Sequence, residues 1–404
     1  MTPYEVIVED AVMKPLVSGP EAKRYDEPET DTYILFPYER DARGAVRLIP
    51  ADDMERRFPN AWEHLCRWEP ELRTRESGAF DDDTWYRLGR NQNLDKQDIP
   101  KLIVAQTVPE MRVCADCDGT KYLNNVRVNG ILPAKRMDQM YLLGVLNGPV
   151  ADFVFRRIGK PKQGGWYEAN RQFIAPLPIP NAPAHARADI VALARRLQER
   201  WTRRGYLLQQ AADRLSVLAR ARHPVHWLWP ELPILPEMTE QAPRGLRLAT
   251  DRRKWAEERL DEMEAARIEA LQAALDRGGR REVRFEHGEL RLYIAGAAVL
   301  EKIYLDLATG SLVESYWRWL LLNGPAREAE RFAIELRRPP ALSDSPAIVQ
   351  FAERVAALAE EVIAITADER ALNDVLYALY GLSPNERNLV ENERGRRNAA
   401  QADA

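Results

Sequence analysis

A regular apolar repeat in residues 187–222 constrains this 404-residue chain more than any other stretch of its sequence. The repeat advances in alternating steps of four and three residues and has one basic member, Arg204; it consists of Ile190, Ala194, Leu197, Trp201, Arg204, Leu208, Ala211, Leu215 and Leu218. Such spacing puts the side chains on one stripe of a long α-helix. The stripe must be buried against a second long helix, either in this chain or in a partner.

Proline-rich breaks divide the chain after this helix. Proline is frequent from Pro230 to Pro243, which indicates a linker. A glutamate-rich helix is predicted at 252–277, and alternating apolar and charged residues predict a β-hairpin at 283–292. Two further amphipathic helices are predicted at 348–363 and 371–380.

The stretch from Trp85 to Pro180 has the pattern of a compact α/β module. The apolar run 102–105 predicts a buried strand, and 111–114 and 126–128 are further strand candidates. Asp138 can cap a helix, which Asn147-Gly148-Pro149 bends or splits in two. The alternating prolines at 176–180 predict an extended exit from the module.

The sequence therefore predicts an α/β (α+β) fold, in which a mixed-sheet domain is followed by long helices and a helical C-terminal region. The predicted segments are an N-terminal part of a recognition region at 1–84, its core at 85–183, a long coiled-coil-like helix at 184–229, a proline-rich linker at 230–250, a helix with a β-hairpin insertion at 251–345 and C-terminal helices at 346–404. No internal repeat of longer period is evident.

Charge is distributed unevenly along the chain. The net charge is −4 overall, yet residues 85–180 contain 14 Lys and Arg against 8 Asp and Glu. Residues 186–222 contain 9 against 3. A basic middle between acidic ends is typical of a protein with an anionic partner such as nucleic acid. A solvated basic face without a partner is the alternative.

Membrane and secreted classes are disfavoured by the composition. The longest apolar run, 292–300, is too short for a membrane span. Glu5, Glu9 and Asp10 lie where a secretory signal needs an apolar segment. Three cysteines do not form a disulfide framework, so we expect a cytoplasmic protein without a membrane partner.

The cysteines offer a weak zinc signal. Cys114 and Cys117 have the two-residue spacing of a zinc pair, but a structural site needs four ligands and the chain has no second pair. Cys66 and His64 could complete the site only if the fold happened to bring them near. A turn at the end of a strand is the simpler interpretation.

Other candidate chemistry is equally isolated. Asp116, Asp118 and Lys121 are the residue types of a metal-dependent nuclease, but they lie in a turn rich in Asn and Gly. His223 and His226 could ligate a metal, although a helix end packed under neighbouring tryptophans explains them better. No phosphate-binding GxxxxGK[ST] loop or GxSxG elbow occurs. We therefore predict no catalytic residue and no metal site.

Two clusters combine cations with aromatic rings. Trp85-Tyr86 precede Arg87 and Arg90, and the alternative to a binding role is a core Trp-Tyr pair with solvent-facing arginines. The denser cluster places Trp166 and Tyr167 among five cations, which are Arg156, Arg157, Lys160, Lys162 and Arg171. Such clusters suit phosphate contacts that position a protein on DNA without reading its sequence.

Short motifs also follow one another in a characteristic order. They are Glu9-x4-Lys14-Pro15-Leu16-x2-Gly19, Ile34-x-Phe36-Pro37-Tyr38, Phe58-Pro59-Asn60-Ala61, Trp85-Tyr86-x2-Gly89-Arg90, Pro100-Lys101-x-Ile103-Val104, Tyr141-Leu142-Leu143-Gly144-Val145-Leu146-Asn147, Leu177-Pro178-Ile179-Pro180 and Leu372-Asn373-x-Val375-Leu376-Tyr377. In this order they resemble the target-recognition (specificity) region of adenine-specific DNA methyltransferases. The relatives are those of type IIG restriction–modification enzymes and related phage-defence methyltransferases. The resemblance covers roughly residues 5–222 and 367–391.

The resemblance implies sequence-specific recognition of double-stranded DNA. Members of the family place a methyltransferase domain before this region, whereas this chain starts at Met1 almost on it, and its sequence contains neither a Gly-rich cofactor loop nor an Asn/Asp-Pro-Pro-Tyr/Phe loop. Catalysis and S-adenosylmethionine are therefore expected in a partner subunit or a missing domain. A divergent active methyltransferase or nuclease, and an interaction scaffold that never binds DNA, remain the alternatives.

Residue roles follow from the chemistry of base edges and phosphates. Arg and Gln suit guanine and adenine edges, and cations suit phosphates. The predicted base contacts are Arg87, Arg90, Gln92 and Gln106. The predicted phosphate contacts are Lys14, Lys23, Arg24, Lys101, Arg156, Arg157, Lys160 and Lys162. Trp166 and Tyr167 are predicted to wall the DNA cleft.

Overall fold

A computed structural model describes residues 5–90, 92–124, 126–134, 137–324 and 328–400, with side chains described up to residue 393. Residues 1–4 and 401–404, which belong to our first and last predicted segments, lie outside the described residues. The chain divides into two compact units. Unit one comprises Met1–Glu199 with Ala371–Gly381, and unit two comprises Arg200–Arg370 with Leu382–Ala404. Long helices and several small sheets confirm the α+β class.

Unit one is built from short strands and helices. Its strands are β1 Met13–Val17, β2 Tyr33–Leu35, β3 Tyr38–Arg40, β4 Val46–Leu48, β5 Lys101–Ala105, β6 Thr107–Val108, β7 Cys114–Asp116, β8 Tyr122–Leu123, β9 Val128–Ile131, β10 Pro161–Lys162 and β11 Trp166–Glu168. Its helices are α1 Ala51–Arg57, α2 Pro59–Arg67, α3 Glu69–Arg73, α4 Arg75–Gly78, α5 Gln139–Leu146, α6 Pro149–Ile158, α7 Arg171–Ile174 and the first part of α8 Ala184–Ser216.

The strands of unit one form small separate sheets. Strand β1 pairs antiparallel with β2 and parallel with β8, and β3 pairs with β4 in a hairpin. Strand β5 lies between β7 and β9, and β11 lies between β10 and β6, with antiparallel pairing throughout. All five residues of β5 are buried, which confirms the strand predicted at 102–105.

Side-chain hydrogen bonds explain where the predicted strand at 111–114 differs from the structure. Strand β7 begins only at Cys114, because the preceding backbone is bonded to side chains instead of a neighbouring strand. The amide side chain of Asn147 accepts from the Val113 N–H and donates to its carbonyl oxygen, at 2.9 and 2.8 Å. Asp152 accepts from the Met111 N–H.

The helix predicted after Asp138 is confirmed and is split in two. The Asp138 carboxylate accepts hydrogen bonds from the N–H groups of Met140 and Tyr141, as an N-cap residue does. Helix α5 ends at Leu146 and α6 starts at Pro149, which lacks the N–H needed to continue the first helix.

The first residues of the apolar repeat in α8 pack against α5, which is a short helix. A Cβ added at Gly144 would lie 2.9 Å from Cγ2 of Ile190, so only glycine admits the helix at this distance. In unit two, Arg200 of α8 donates to Glu361 and Asp368, which lie on the long helix Pro346–Leu379. These ion pairs involve Arg200, which is not a member of the repeat. The repeat residues Ala211, Leu215 and Leu218 are buried in the core of unit two, and packing of the whole apolar stripe on a second long helix stays a prediction. Helix α8 ends at Ser216, before the predicted end at 222.

Unit two combines helices with one antiparallel sheet. After the second part of α8 it contains α9 Leu235–Glu240, α10 Ala249–Asp276, β12 Arg281–Glu286, β13 Glu289–Ile294, β14 Ala297–Tyr304, α11 Leu307–Asn323, α12 Ala329–Leu336, α13 Pro346–Leu379 and α14 Pro384–Ala400. Strands β12 and β13 confirm the predicted hairpin, and β14 adds a third strand. The last nine residues of α13 belong to unit one.

Two predictions about unit two differ from the structure. The proline-rich segment is not a free linker, because Leu232 belongs to the core of unit two, Met238 and Ala242 are buried, and the segment contains α9. The helices predicted at 348–363 and 371–380 are one continuous helix, α13, because no proline or glycine interrupts the chain between them. No described helix is both long and apolar enough to cross a membrane.

Candidate nucleic-acid interface

A short hairpin in unit one gathers several of the predicted residues. Strands β10 and β11 are antiparallel, and their register places Lys162 opposite Trp166. Gly164 and Gly165 make the turn with φ of 73° and 74°, a region that glycine adopts without strain. Trp166 is 43% exposed beside this turn. We call Lys160, Lys162, Trp166, Tyr167 and Glu168 the hairpin cluster.

One carboxylate neutralises part of the hairpin's charge. Lys162 Nζ forms an ion pair with Glu168, and Lys160 Nζ lies 3.8 Å from the same carboxylate. The hydrogen bond from Lys162, with the charges of both lysines, holds the pKa of Glu168 below its usual value. The two lysines therefore share one counter-charge, and a phosphate that binds here must compete with Glu168.

Gln106 lies next to the hairpin cluster. Strand β11 pairs with β6, and directly after β11 the Ala169 N–H donates to the Gln106 carbonyl oxygen at 2.8 Å. The Gln106 N–H in turn donates to the carbonyl oxygen of Arg127. The side chains of Gln106 and Arg127 are both exposed. The structure thus places one predicted base-reading residue beside two of the predicted phosphate-binding lysines.

A cavity of about 760 Å³ opens in unit one between β9, α5, α7 and residues 90–97. We call it the β9 cavity. Its cationic lining residues are Arg90, Lys96, Lys101 and Arg171, and its amide lining residues are Gln92, Asn93, Gln97 and Asn129. Its apolar lining includes Leu123, Val128, Ile131, Leu142, Leu146, Ile174 and Leu177. Two predicted base-reading residues, Arg90 and Gln92, therefore line one space.

The hairpin cluster and the β9 cavity are joined by the segment 168–171. Asn170 Nδ2 donates to Glu168 at 3.4 Å, and Arg171, the next residue, lines the cavity. From the opposite wall, Asn129 Nδ2 donates to the Ala169 carbonyl oxygen at 3.1 Å. These contacts connect the two sites, and we call the hairpin cluster, Gln106 and the lining of the β9 cavity together the basic face.

Lys101 requires a correction. It was predicted to contact phosphate, but it is 1% exposed and its Nζ donates to Asp116 Oδ2 at 2.7 Å and to the carbonyl oxygens of Gln97 and Ile99. Burial lowers the pKa of its ammonium group, an effect that the hydrogen bond to Asp116 opposes. Every donor position of the amine is engaged, so Lys101 is a structural residue.

The same pair removes the support for a nuclease site. Asp116 is 2% exposed, and its carboxylate also accepts from the N–H groups of Thr120 and Lys121 at 3.1 Å. These three donors occupy three of the roughly four lone-pair sites of a carboxylate that is also buried, so Asp116 is not available as a metal ligand. Asp116 therefore stabilises the turn after β7.

Arg156 and Tyr167 also require a correction. The Arg156 side chain is 4% exposed, and its Nε donates to both carboxylate oxygens of Asp152. Its guanidinium group lies 5.8 Å from the centre of the Tyr167 ring, and Phe155 packs on that ring too. Arg156 therefore does not reach a phosphate. Tyr167 is half-buried and supports the hairpin from behind, whereas Trp166 lies at the surface.

Arg87 and Arg24 are engaged within unit one. Arg87 donates to Asp82 at 2.6 Å and to the Ala79 carbonyl oxygen, and its guanidinium lies over the Phe80 ring. It holds a loop and is not directed at a base edge. Arg24 Nη2 donates to the Asn147 carbonyl oxygen at the end of α5. Both predicted DNA contacts are therefore replaced by structural roles.

The pair Trp85-Tyr86 belongs to the core. Both side chains are buried in a cluster with Ile49 and Met54, and the Tyr86 hydroxyl donates to the Ile49 carbonyl oxygen at 2.6 Å. The alternative interpretation of this pair, as core aromatics beside surface arginines, is the one found. Of the two arginines that follow it, only Arg90 lines a cavity.

The remaining predicted cations have other surroundings in unit one. Arg157 is exposed, donates to the Phe153 carbonyl oxygen and lies over the Phe153 ring. Lys23 is exposed near a turn, and Lys14 is half-buried in β1 opposite Ile34. They stay predictions of peripheral phosphate contacts.

The site residues missed by sequence reasoning are polar groups on short elements. Lys96 precedes a strand by five residues and was within the basic stretch, but nothing in the sequence singled it out. Asn129 lies in β9, and the strand predicted at 126–128 ended one residue before it. Arg171 was part of the dense cation cluster but was given no role, and it lines the β9 cavity.

Metal and cofactor sites find no support in the residues that the structure describes. No group of three or more His, Cys, Asp or Glu side chains there is arranged to hold a metal ion. Burial raises the pKa of the Cys114 thiol, which disfavours the thiolate that zinc needs, and Cys117 Sγ faces Gln198. The glycine pair at 164–165 leads into a strand instead of a helix N-terminus, so it does not fit the phosphate-cradling loops of cofactor sites.

The basic face is the feature of unit one that bears on its function. It joins Arg90 and Gln92 in the β9 cavity to Gln106 and the hairpin cluster. Its chemistry, cations and amides around an exposed tryptophan, is that of an interface for an anionic polymer. No protein-family model matches the chain, and no curated protein matches it at a significant level.

Proposed function

We propose that unit one binds double-stranded DNA in a sequence-specific manner. The chain would be the specificity part of an adenine-specific DNA methyltransferase, within a restriction–modification or phage-defence system. The observation that carries the proposal is the basic face, in which the exposed lysines Lys160 and Lys162, an exposed tryptophan and the amides that line the β9 cavity are connected by the segment 168–171. The surplus of cations over residues 85–180 agrees with it.

The hairpin gives the basic face a shape that suits a DNA groove. The major groove accepts a two-stranded β-ribbon as well as a helix. In this arrangement Lys160 and Lys162 hold phosphates, and the Trp166 ring packs against the sugar edge of the groove. Arg90, Gln92 and Gln106 carry the guanidinium and amide groups that match guanine and adenine edges.

Catalysis would come from another domain or subunit. That partner would hold S-adenosylmethionine and transfer the methyl group to the target adenine, which must leave the base stack for this reaction. The recognition surface would set where on the duplex this happens. Methyl transfer to DNA by the purified chain alone would overturn this division of roles and favour a divergent methyltransferase.

Replacing Arg90 and Lys162 separately should separate base reading from phosphate binding. A preferred sequence is first selected from a random duplex pool. We expect Arg90→Ala to weaken binding to that sequence by about 1–3 kcal/mol and to relax the preference at one position. Lys162→Ala should weaken binding to all sequences alike and flatten its salt dependence. Fluorescence anisotropy over a salt series measures both effects.

Arg56→Ala is the matched control for these variants, because Arg56 is an exposed arginine of α1 in unit one. It should bind DNA like the unaltered chain. Equal losses for Arg56→Ala and Arg90→Ala would mean that only overall charge matters. Unchanged affinity for both Arg90→Ala and Lys162→Ala would contradict the proposed interface.

Neutralising Glu168 should strengthen DNA binding. Glu168→Gln removes the carboxylate that Lys160 and Lys162 share, so both lysines become available to phosphates. We expect affinity at low salt to rise by about three- to tenfold and the slope of log K against log salt to become steeper by about one. Glu63→Gln, on the exposed side of α2, removes the same charge elsewhere. An equal gain from Glu63→Gln would assign the effect to net charge alone.

A further inference from the structure

We propose that the β9 cavity binds a single nucleotide, with the base inside the cavity and the phosphate on its cationic rim. The ligand is either a free mononucleotide or a nucleotide extruded from the bound duplex. For the second source the inference rests on the proposed DNA-binding function.

The size and walls of the cavity suit a flat ring. Its volume of about 760 Å³ lies within the range of small-molecule sites. It is many times the volume of a single water molecule. Its apolar walls come from separate elements: Val128 and Ile131 on β9, Leu142 and Leu146 on α5, and Ile174 on α7. Because these elements are fixed by their own sheet and helix packing, the cavity is preformed.

The charge of the rim selects an anion. Arg90, Lys96 and Arg171 line the cavity, and no aspartate or glutamate is among its described lining residues. No described carboxylate forms an ion pair with Arg90 or Arg171, whereas Arg73, Arg87 and Arg156 elsewhere in unit one are paired. Two arginines without such partners beside an apolar space are placed for a phosphate or carboxylate.

A buried amide distinguishes a base from an acyl chain. Gln97 is 6% exposed and lines the cavity. Its Oε1 accepts from the Leu123 N–H at 2.8 Å, and its Nε2 takes part in none of the hydrogen bonds found among the described residues. An acyl chain would leave this donor unsatisfied in an apolar site, whereas the ring nitrogens and carbonyl oxygens of bases accept from it.

Three variants test the site. Ala175→Trp fills the cavity: Ala175 lines it and has φ −59° and ψ −31°, which any residue adopts. Gln172→Trp is the matched control, because Gln172 is exposed on α7, which ends just before Ala175, and does not line the cavity. Gln97→Glu keeps the acceptor for the Leu123 N–H but removes the amide donors and adds a negative charge.

The first arm measures free nucleotides. Equilibrium dialysis of the whole chain against each of the four deoxynucleoside monophosphates should detect binding of at least one of them. We expect Ala175→Trp and Gln97→Glu to weaken that binding at least tenfold, with Gln172→Trp unchanged. Circular dichroism verifies folding, and Gln97→Glu keeps the arm decisive if Ala175→Trp does not fold.

The second arm measures extrusion from a duplex. 2-Aminopurine is placed at each position of the preferred sequence, and its fluorescence rises when the base leaves the stack. No aromatic residue is among the described residues that line the cavity, so little quenching by stacking is expected there. We expect a rise at one position, lost in Ala175→Trp and kept in Gln172→Trp.

The outcomes separate this inference from the proposed function. Free nucleotide binding that Ala175→Trp abolishes supports the cavity as a mononucleotide site, even if no duplex is bound. A fluorescence rise that Ala175→Trp abolishes supports extrusion. Duplex binding with neither signal overturns the inference and leaves DNA recognition standing. Nucleotide binding that all three variants leave unchanged also overturns it.

Discussion

Lys101→Met should lower the free energy of unfolding of unit one by about 3–5 kcal/mol. The substitution removes the ammonium group and leaves the Asp116 carboxylate buried at one end of the β5–β7 pairing, where the register sets Lys101 opposite Asp116. An unpaired buried charge loses its hydration without compensation. Hydrogen exchange of the β5 amides as a function of urea measures the loss within unit one.

Lys96→Met is the control for that experiment, since Lys96 is an exposed lysine of the same unit. It should change stability by less than about 0.5 kcal/mol. Adding Asp116→Asn to Lys101→Met should recover part of the loss, because the buried charge is then gone while an acceptor remains. A loss below about 1 kcal/mol for Lys101→Met would mean that the pair is more hydrated than its burial indicates.

Trp317→Ala should destabilise unit two by about 3–5 kcal/mol. Trp317 is fully buried on α11, its Nε1 donates to the Leu336 carbonyl oxygen at 2.9 Å, and its ring meets that of Trp227 edge to face. Alanine leaves a cavity and an unsatisfied carbonyl oxygen between α11 and α12. Hydrogen exchange of the α11 amides measures the effect.

Trp317→Phe separates the two contributions, because it retains most of the ring volume and loses the hydrogen bond. We expect it to destabilise unit two by about 1–2 kcal/mol. Tyr304→Ala, at an exposed position of β14, should change stability by less than about 0.5 kcal/mol. Similar losses for Trp317→Ala and Tyr304→Ala would show that burial of Trp317 is not what stabilises this core.

Features set by neighbouring residues could be predicted from the sequence. The cap at Asp138, the split before Pro149 and the hairpin of β12 and β13 each depend on a few consecutive residues. Ser383 and Glu386 form the hydrogen bonds of a capping box, which likewise depends on a few consecutive residues. Local backbone preferences determine these elements, and such preferences depend on a few consecutive residues.

The roles of the cations could not be predicted, because each depends on what the fold places opposite it. Lys101 meets Asp116 only through the antiparallel register of two strands. Arg24 reaches the Asn147 carbonyl oxygen across 123 positions of sequence. A count of charges treats such residues as equal to Arg90, which lines a cavity. The surplus of Lys and Arg therefore indicated the region of the basic face, but not which cations belong to that face.

The β9 cavity was beyond sequence reasoning for a related reason. Its walls come from β9, α5 and α7 and from residues 90–97, none of which is adjacent in sequence to all the others. Apolar residues such as Leu142 and Leu146 have the same helical spacing whether they face a solid core or an empty space. Only the arrangement of the elements distinguishes the two.

The division of the chain also fixes the order in which the protein can be completed during synthesis. Unit one needs Ala371–Gly381: Leu376 packs against Gly148, and the Tyr380 hydroxyl donates to the Pro178 carbonyl oxygen at 2.7 Å. The ribosome must therefore release the chain as far as Gly381 before the basic face has its full support. Until then, the nascent chain carries the basic face on an incomplete unit one.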